Sequence, residues 1–254
     1  TDPFPEPVAA NYPPCPLNDA GWWLVLSDCH IPHHDRRTIE LADEWAKKRG
    51  AVGVLLNGDV IDSHEISVHD HDPRAPRYVA EVEAAKKLLG WLRGKLPKAR
   101  IVYKLGNHEE RFDRYVISRA PALFGLEGVD IESLLHFDDL GIEPVRDRRA
   151  IRLGKLNVLH GHEYRGAGGV NPARWLYLKA RSVAMVSHFH RTSEHFARDI
   201  TGKAEAAWSI GCACNLAPRW LPYTEWNHGF ALVEVSKGGA FLVENKRVLD
   251  GRVV

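Results

Sequence analysis

Residues that can bind metal ions occur along this chain at one kind of position, directly after a short apolar run. Five blocks have this character, and their acidic, amide and imidazole residues are Asp28, His30, Asp59, Asn107, His108, His160, His162, His188 and His190. In open α/β sheets, ligands bind at the carboxyl ends of the strands, where the loops converge. One such residue could be structural, but five successive blocks indicate a shared binding site.

The residue types narrow the chemistry of that site. Imidazole and carboxylate groups without a cysteine cluster suit Mn, Fe, Zn or Ni rather than a structural zinc site. Seven or eight candidate ligands exceed the needs of one ion, whereas one carboxylate can bridge two ions about 3.5–4 Å apart. Such pairs serve in-line displacement at phosphorus, with a metal-bound hydroxide as the attacking group. We therefore expect two divalent ions, with Mn favoured, and a phosphate ester as substrate.

The overall charge excludes one class of protein. Lys and Arg total 34, Asp and Glu total 33, and the net charge is +1, so the chain lacks the basic field of a protein that coats nucleic acid. Two divalent ions would still make the site locally positive, because only Asp28 and Asp59 oppose their charge. The longest apolar runs fall far short of the ~20 residues that span a bilayer. The four cysteines form no disulfide framework, and we expect a cytoplasmic protein without membrane contact.

Strands and helices must alternate to place these blocks at one edge. Apolar runs predict strands over 21–27, 51–57 and 101–105, and helical spacing predicts helices over 35–49 and from Val82 to Leu96. This order favours parallel strands joined by helical crossovers. From 141 to 248 short strands dominate, several of them joined by glycine-containing turns. The pattern predicts an α/β fold in which one domain, 21–254, has two packed mixed sheets with helices outside.

A proline-rich segment precedes that domain. Residues 1–20 carry six of the 15 prolines within their first sixteen positions and have no apolar signal-peptide core. We expect an extended N-terminal arm that lies on the domain or on a partner subunit, which would allow a homo-oligomer through the arm.

Five motifs resemble the ordered blocks of the calcineurin-like metallophosphoesterases. They are Asp28-Cys29-His30, Gly58-Asp59-Val60-Ile61-Asp62, Gly106-Asn107-His108-Glu109, His160-Gly161-His162 and Ser187-His188-Phe189-His190. Each motif alone is weak, but the ordered set is specific. The resemblance implies that 21–254 form a four-layer αββα sandwich of two mixed β-sheets flanked by helices. It also implies one ion on Asp28, His30 and His190, another on Asn107, His160 and His188, and a bridge through Asp59.

The resemblance further implies a catalytic role for His108, which would face the leaving-group oxygen as a general acid with Glu109 as its orienting partner. Two departures from the family pattern stand out. Ser187 replaces the usual glycine, which could alter the turn that aims His188. Asp62 is followed by Ser63 rather than by the Arg-Gly of the Ser/Thr protein phosphatases, which makes that branch a poor match.

Other residues are assigned roles around the centre. Asn107, His108, Arg111 and His64 are expected to contact substrate, with His64 on a histidine-rich loop that extends to His71. Asp62 and His162 are expected to support the ligands without binding metal. The aromatic stretch 219–226 could stack on a nucleobase or cover the edge of the core. Cys29 is expected to be buried against the sheet. Cys212 and Cys214 share one strand face and could bind metal, but two thiols without further ligands are more typical of small buried apolar groups.

These expectations favour a phosphodiesterase. A monoester dianion needs a fixed cation beyond the metals, and no Arg follows the second motif, whereas a diester carries one charge. The alternatives are a nuclease acting on DNA or RNA, a phosphomonoesterase and, from another class, a non-catalytic scaffold of the same fold. The complete ligand set argues against the scaffold.

Overall fold

The computed structural model describes residues 10–254. Its first half contains the strands and helices β1 Cys15–Leu17, β2 Gly21–Leu26, α1 Arg36–Arg49, β3 Gly53–Asn57, α2 Tyr78–Lys95, β4 Arg100–Lys104, α3 Glu110–Arg119, α4 Ile131–Leu134 and α5 Phe137–Leu140. The second half contains β5 Ile142–Val145, β6 Ile151–Leu153, β7 Leu156–Leu159, α6 Pro172–Ala180, β8 Ala184–Val186, β9 Ser193–Arg198, β10 Ala204–Ser209, β11 His228–Val235, β12 Phe241–Leu249 and β13 Arg252–Val253.

The strands form two mixed sheets. The seven-stranded sheet has the order β13-β12-β11-β2-β3-β4-β5, and the six-stranded sheet has the order β1-β6-β7-β8-β10-β9. Strands β2 to β5 pair in parallel, as do β7 with β8. The carboxyl ends of these parallel strands therefore open toward the loops that carry the metal-capable residues.

Three apolar clusters bind the layers together. Side chains of both sheets, among them Trp23, Leu55, Val158 and Met185, are buried against one another between the sheets. Helices α1 and α2 cover the outer face of the seven-stranded sheet, and α6 covers the outer face of the six-stranded sheet. This arrangement confirms the expected αββα sandwich.

The first crossover helix shows why the sequence folds locally as it does. The Asp35 side chain accepts a hydrogen bond from the backbone N–H of Thr38 at 2.7 Å, which caps the start of α1. Gly50 ends the helix in the left-handed region with φ of 64°. Because Ile39, Ala42 and Ala46 recur on one face, that face is buried on the sheet.

Several short elements, α4, α5 and β13 among them, were not predicted from the sequence. Two further differences concern α6 and β1. Helix α6 was not predicted, although the Asn171 side chain caps its first turn and Pro172 occupies its first position, a recognised helix-start signal. Strand β1 lies within the predicted N-terminal arm and pairs in parallel with β6, so this part of the arm is a sheet edge. Residues 1–9 of the arm lie outside the described residues. No helix within 10–254 has the length and apolar character that a bilayer crossing requires.

Candidate metal centre

All five sequence blocks meet at one edge of the sandwich. Asp28 and His30 follow β2, Asp59 follows β3, and Asn107 and His108 follow β4. From the other sheet, His160 follows β7, and His188 and His190 follow β8. The two sheets therefore contribute to one centre at the carboxyl ends of their parallel strands.

Asp59 lies in the middle of this centre. Its Oδ2 atom is 3.2 Å from His160 Nε2, 3.7 Å from His108 Nε2 and 3.9 Å from His30 Nε2. The side chain is 2% exposed. This buried carboxylate therefore faces three imidazoles that come from three different loops.

The surrounding groups divide into two sets that share Asp59. In the first set, ligand atoms of Asp28, His30 and Asp59 lie within 4.8 Å of one another, and His190 Nε2 is 3.2 Å from Asp28 Oδ1. In the second set, ligand atoms of Asp59, His160 and His188 also lie within 4.8 Å of one another. Asn107 Oδ1 is 3.3 Å from His160 Nε2. The structure thus brings together all seven residues expected to bind metal.

Five of these residues have a backbone conformation that L-residues rarely adopt. Positive φ angles occur at Asp28 (53°), His30 (46°), Asp59 (52°), His188 (65°) and His190 (57°). The left-handed region costs a residue with a side chain about 1–2 kcal/mol. Such strain collects at functional sites, where the direction of a side chain matters more than local stability.

The residues present fit divalent cations. Oδ1 of Asp28 is buried and accepts no well-directed hydrogen bond among the described residues. The His190 imidazole faces it at 3.2 Å, and burial of the carboxylate is costly unless positive charge lies beside it. The donor set is imidazole nitrogen with carboxylate and amide oxygen, the set that Mn, Fe, Zn and Ni accept. These residues could hold two ions, with Asp59 between them.

Protonation of the histidines shows how strongly the centre attracts positive charge. Burial alone would lower the pKa of His160, but the charge of Asp59 raises it to about 10. Burial also opposes the charged form of His30, yet the hydrogen bond to Asp62 and the charge of Asp59 raise its pKa to about 9. Divalent cations would supply this positive charge and leave the imidazoles neutral, the form that binds metal.

Further contacts fix the direction of the imidazoles. Asp62 Oδ1 is 3.0 Å from His30 Nδ1 and 3.2 Å from His108 Nδ1. His108 Nδ1 also donates to the Asp62 carbonyl at 2.6 Å, and His160 Nδ1 donates to the Asn57 carbonyl at 2.7 Å. Both rings therefore turn Nε2 toward Asp59. Hydrogen bonds to the second ring nitrogen commonly fix the orientation of histidines at metal sites in this way.

Glu109 does not make the contact with His108 that the sequence predicted. We expected this side chain to orient His108, but the structure gives that contact to Asp62. The buried Glu109 carboxylate instead accepts hydrogen bonds from backbone N–H groups of the loop after β3 and from the Tyr103 hydroxyl. Glu109 is a positioning residue because it acts on the backbone of Asp59.

The remaining predicted residues lie at different distances from the centre. Arg111 is adjacent to it, since Nη2 is 3.0 Å from His108 Nε2 and Nη1 donates to the Asp62 carbonyl at 2.7 Å. His162 bonds Glu110 at 3.0 Å, with its ring 5.2 Å from that of His160. The half-buried His64 has its ring 6.1 Å from that of His71, in the loop before α2.

The sequence profile of the calcineurin-like phosphoesterases matches residues 23–208, well over half of the chain and all five blocks. The chain belongs to the calcineurin-like phosphoesterase family. No curated protein matches its sequence.

Several solved structures are similar to this calcineurin-like phosphoesterase. A single mutant of Vps29 from Entamoeba histolytica is 14% identical, with a TM-score of 0.48 and coverage of 92% of this chain and 96% of that one. YfcE, a phosphoesterase from E. coli, is 14% identical, with a TM-score of 0.37 and coverage of 88% and 98%. A dimetal phosphatase from Danio rerio is 10% identical, with a TM-score of 0.37 and coverage of 89% and 99%.

Ser187 shows how this member of the family accommodates its departure from glycine. The positive φ angles of the segment fall on His188 and His190 and not on Ser187. The buried Ser187 hydroxyl accepts from the Asn57 side-chain amide at 2.8 Å and donates to the His160 carbonyl at 3.1 Å. The serine therefore adds hydrogen bonds behind the centre without needing glycine's freedom.

An ion pair that was not predicted from the sequence lies behind His160. Lys104 is fully buried, and its Nζ lies 2.9 Å from Glu163 Oε1. Glu163 in turn accepts from the backbone N–H groups of His160 at 3.1 Å and Gly161 at 2.6 Å. The available signal was a lysine within the apolar run predicted over 101–105, since a buried charge requires a partner.

The aromatic stretch lies beside the centre of this phosphoesterase. The Trp226 ring is 4.2 Å from the His190 ring, and Trp220 is 5.9 Å from Trp226. Trp220 is 73% exposed. The thiols of Cys29, Cys212 and Cys214 are buried as expected, and Cys214 Sγ lies 3.8 Å from His190 Nδ1.

Proposed function

We propose that this calcineurin-like phosphoesterase hydrolyses phosphate esters with two divalent ions bound, and prefers phosphodiesters. The observation that carries the proposal is the position of Asp59, shared by two sets of ligand atoms with His108 Nε2 3.7 Å away. Asp28, His30 and His190 would hold one ion, and Asn107, His160 and His188 the other. When bound, the ions supply positive charge to the phosphoryl oxygens and acidify water.

His108 is the proton donor in this proposal. Its Nδ1–H is held by Asp62, so Nε2 points toward the centre. Protonated at Nε2, the ring can deliver a proton to the departing alkoxide oxygen. Arg111 now donates to Nε2, and an anionic substrate would attract the guanidinium away from the ring and free that nitrogen.

The preference for diesters follows from the available charge. Arg111 already bonds the Asp62 carbonyl and faces His108, so only part of its donor set is free for phosphate. A singly charged diester needs less compensation than a dianionic monoester. Its second organic group would reach the aromatic surface of Trp220 and Trp226.

A comparison of two chromogenic esters tests the proposal. We expect a higher kcat/KM for bis(p-nitrophenyl) phosphate than for p-nitrophenyl phosphate, measured with the same metal and pH. A monoester preference of about tenfold, or about 1.4 kcal/mol in the barrier, would contradict the diester preference and indicate Arg111 as a phosphate clamp. Hydrolysis of neither ester with Mn, Fe, Zn, Ni or Mg would contradict the phosphoesterase activity itself.

The exposed tryptophan favours one second candidate, a nuclease acting on DNA or RNA. Aromatic side chains stack on bases of any sequence, typically contributing about 1–3 kcal/mol per base. The experiment is cleavage of single-stranded oligonucleotides by the wild type and by Trp220→Ala. Cleavage that weakens in the variant, with bis(p-nitrophenyl) phosphate turnover unchanged, would support the nuclease.

A further inference from the structure

The strand β9 forms one edge of the six-stranded sheet. It pairs with β10 on one side, and the described chain places no strand on the other. An unpaired edge presents backbone N–H and C=O groups that can pair with another strand. Glu194, Phe196 and Arg198 alternate with half-buried residues and are exposed.

The exposed charges on this edge have no partner of opposite charge in their own chain. Among residues 10–254, neither Glu194 nor Arg198 forms an ion pair within 4.0 Å, and both side chains are exposed to solvent. Phe196 is 66% exposed, although its ring lies 6.1 Å from that of the buried Trp208. Phe196, Trp208 and Phe241 line a groove of about 430 Å³ at this margin of the sandwich.

The spacing of these residues is symmetric. Glu194 lies two residues before Phe196, and Arg198 lies two residues after it. In an antiparallel pair of identical strands centred on Phe196, each Glu194 would face Arg198 of the second copy, and the two Phe196 side chains would face each other. The edge is therefore complementary in charge to itself about a two-fold axis.

We propose that a second copy of this chain pairs with β9, antiparallel and centred on Phe196, so that the six-stranded sheets of the two copies become continuous. Directly opposite side chains in such a pair have Cβ atoms about 4.5–5.5 Å apart, close enough for the two ion pairs and the aromatic pair. The paired Phe196 rings would cover the groove beside Trp208.

The charges also favour this register over the alternatives that keep the same side chains on one face. A slip of two residues sets Phe196 opposite Glu194 or Arg198 and removes both ion pairs, and a slip of four residues sets Glu194 against Glu194 or Arg198 against Arg198. Like charges directly opposite are destabilising. Charged side chains, lysine above all, often protect edge strands against association. Here the exposed edge residues include one charge of each sign at matching distances from Phe196, so that pairing with a second copy brings opposite charges together.

Charge exchange tests the pairing. We expect the wild-type protein to sediment as a dimer in analytical ultracentrifugation over a range of micromolar concentrations. Glu194→Arg and Arg198→Glu each create two like-charged contacts, and each should raise the dimer Kd about tenfold or more. The double variant restores opposite charges and should restore the Kd toward the wild-type value.

The controls distinguish association through β9 from association through another surface and from loss of folding. Glu40→Arg breaks an exposed ion pair with Arg36 on α1 and should leave the Kd unchanged. Circular dichroism and thermal unfolding check that each variant is folded, independently of any hydrolytic activity. A monomeric wild type would overturn the proposal, as would a dimer that both single exchanges leave intact, which would place the association elsewhere, as on the N-terminal arm.

Discussion

The Glu109 carboxylate accepts a hydrogen bond from the backbone N–H of Asp59 at 2.9 Å. The same carboxylate accepts from Val60 and Gly106 N–H groups at 2.8 Å each and from the Tyr103 hydroxyl at 2.7 Å. One side chain therefore joins the loop after β3, which carries Asp59, to the loop after β4, which carries Asn107 and His108.

Replacing this carboxylate tests its role in holding the two loops. Glu109→Gln places an amide NH₂ where a carboxylate oxygen now accepts N–H donors, so at least one buried donor loses its partner. We expect a loss of about 2–4 kcal/mol in the free energy of unfolding, measured by urea denaturation of metal-free protein. Glu127→Gln, at an exposed position, should stay near the wild type. A Glu109→Gln variant as stable as that control would show that the contacts do not hold the loops.

The role of His108 as proton donor predicts a dependence on the leaving group. His108→Ala should lower kcat by roughly 10²–10⁴ for esters with alkoxide leaving groups. The loss should be much smaller for a nitrophenolate, which departs without a proton. His108 is not expected to bind metal, so elemental analysis should find the ions retained. Equal losses on both ester types would exclude the general-acid role.

Glu81 predicts a pH dependence of stability outside the metal centre. This buried side chain on α2 accepts from the Ser63 N–H at 2.7 Å. Burial and the nearby charge of Asp62 raise its pKa from 4.5 to about 7. Between those values the folded chain holds more protons than the unfolded chain, so the free energy of unfolding falls as pH rises through this window and levels off above it.

The measurement compares the wild type with Glu81→Gln in urea at pH 5 and pH 8, with a chelator present. The wild type should lose stability relative to this variant between the two pH values. Glu83→Gln, an exposed change on the same helix, should follow the wild type. If the difference in free energy of unfolding between the wild type and Glu81→Gln is the same at both pH values, the raised pKa is contradicted.

Much of the site could be predicted because its residues lie within a few positions of the carboxyl ends of strands. Asp28 and His30 directly follow an apolar strand, and so do Asp59 and His160. The rule that parallel strands end at one edge then places them together without coordinates. The half of the chain from β2 to β4 could also be predicted. Its helices α1 and α2 are long enough to show a helical spacing of apolar residues, and its strands are short apolar runs.

The supporting contacts could be predicted only in part, because they join loops that are distant in sequence. Asp62 supports the ligands as expected, but it also makes the contact with His108 that was expected of Glu109, and the local sequence around each acid does not show which of the two loops reaches that ring. The pair of Lys104 and Glu163 spans two sheets. Strand β1 has only three residues, too few to show a period. The identity of the metals, the cytoplasmic location and an oligomer through the arm stay predictions.

Metal content after substitution of Asp59 tests the dinuclear centre most directly. Elemental analysis of wild-type protein loaded with Mn should find close to two ions per chain. Asp59→Asn removes the charge shared by both ligand sets, and no neighbouring group can replace it. The variant should lose most of the metal and its hydrolytic activity together, whereas Asp138→Asn, at an exposed position, should lose neither. Full metal occupancy in Asp59→Asn, or a wild type that binds no ion, would contradict the proposed centre.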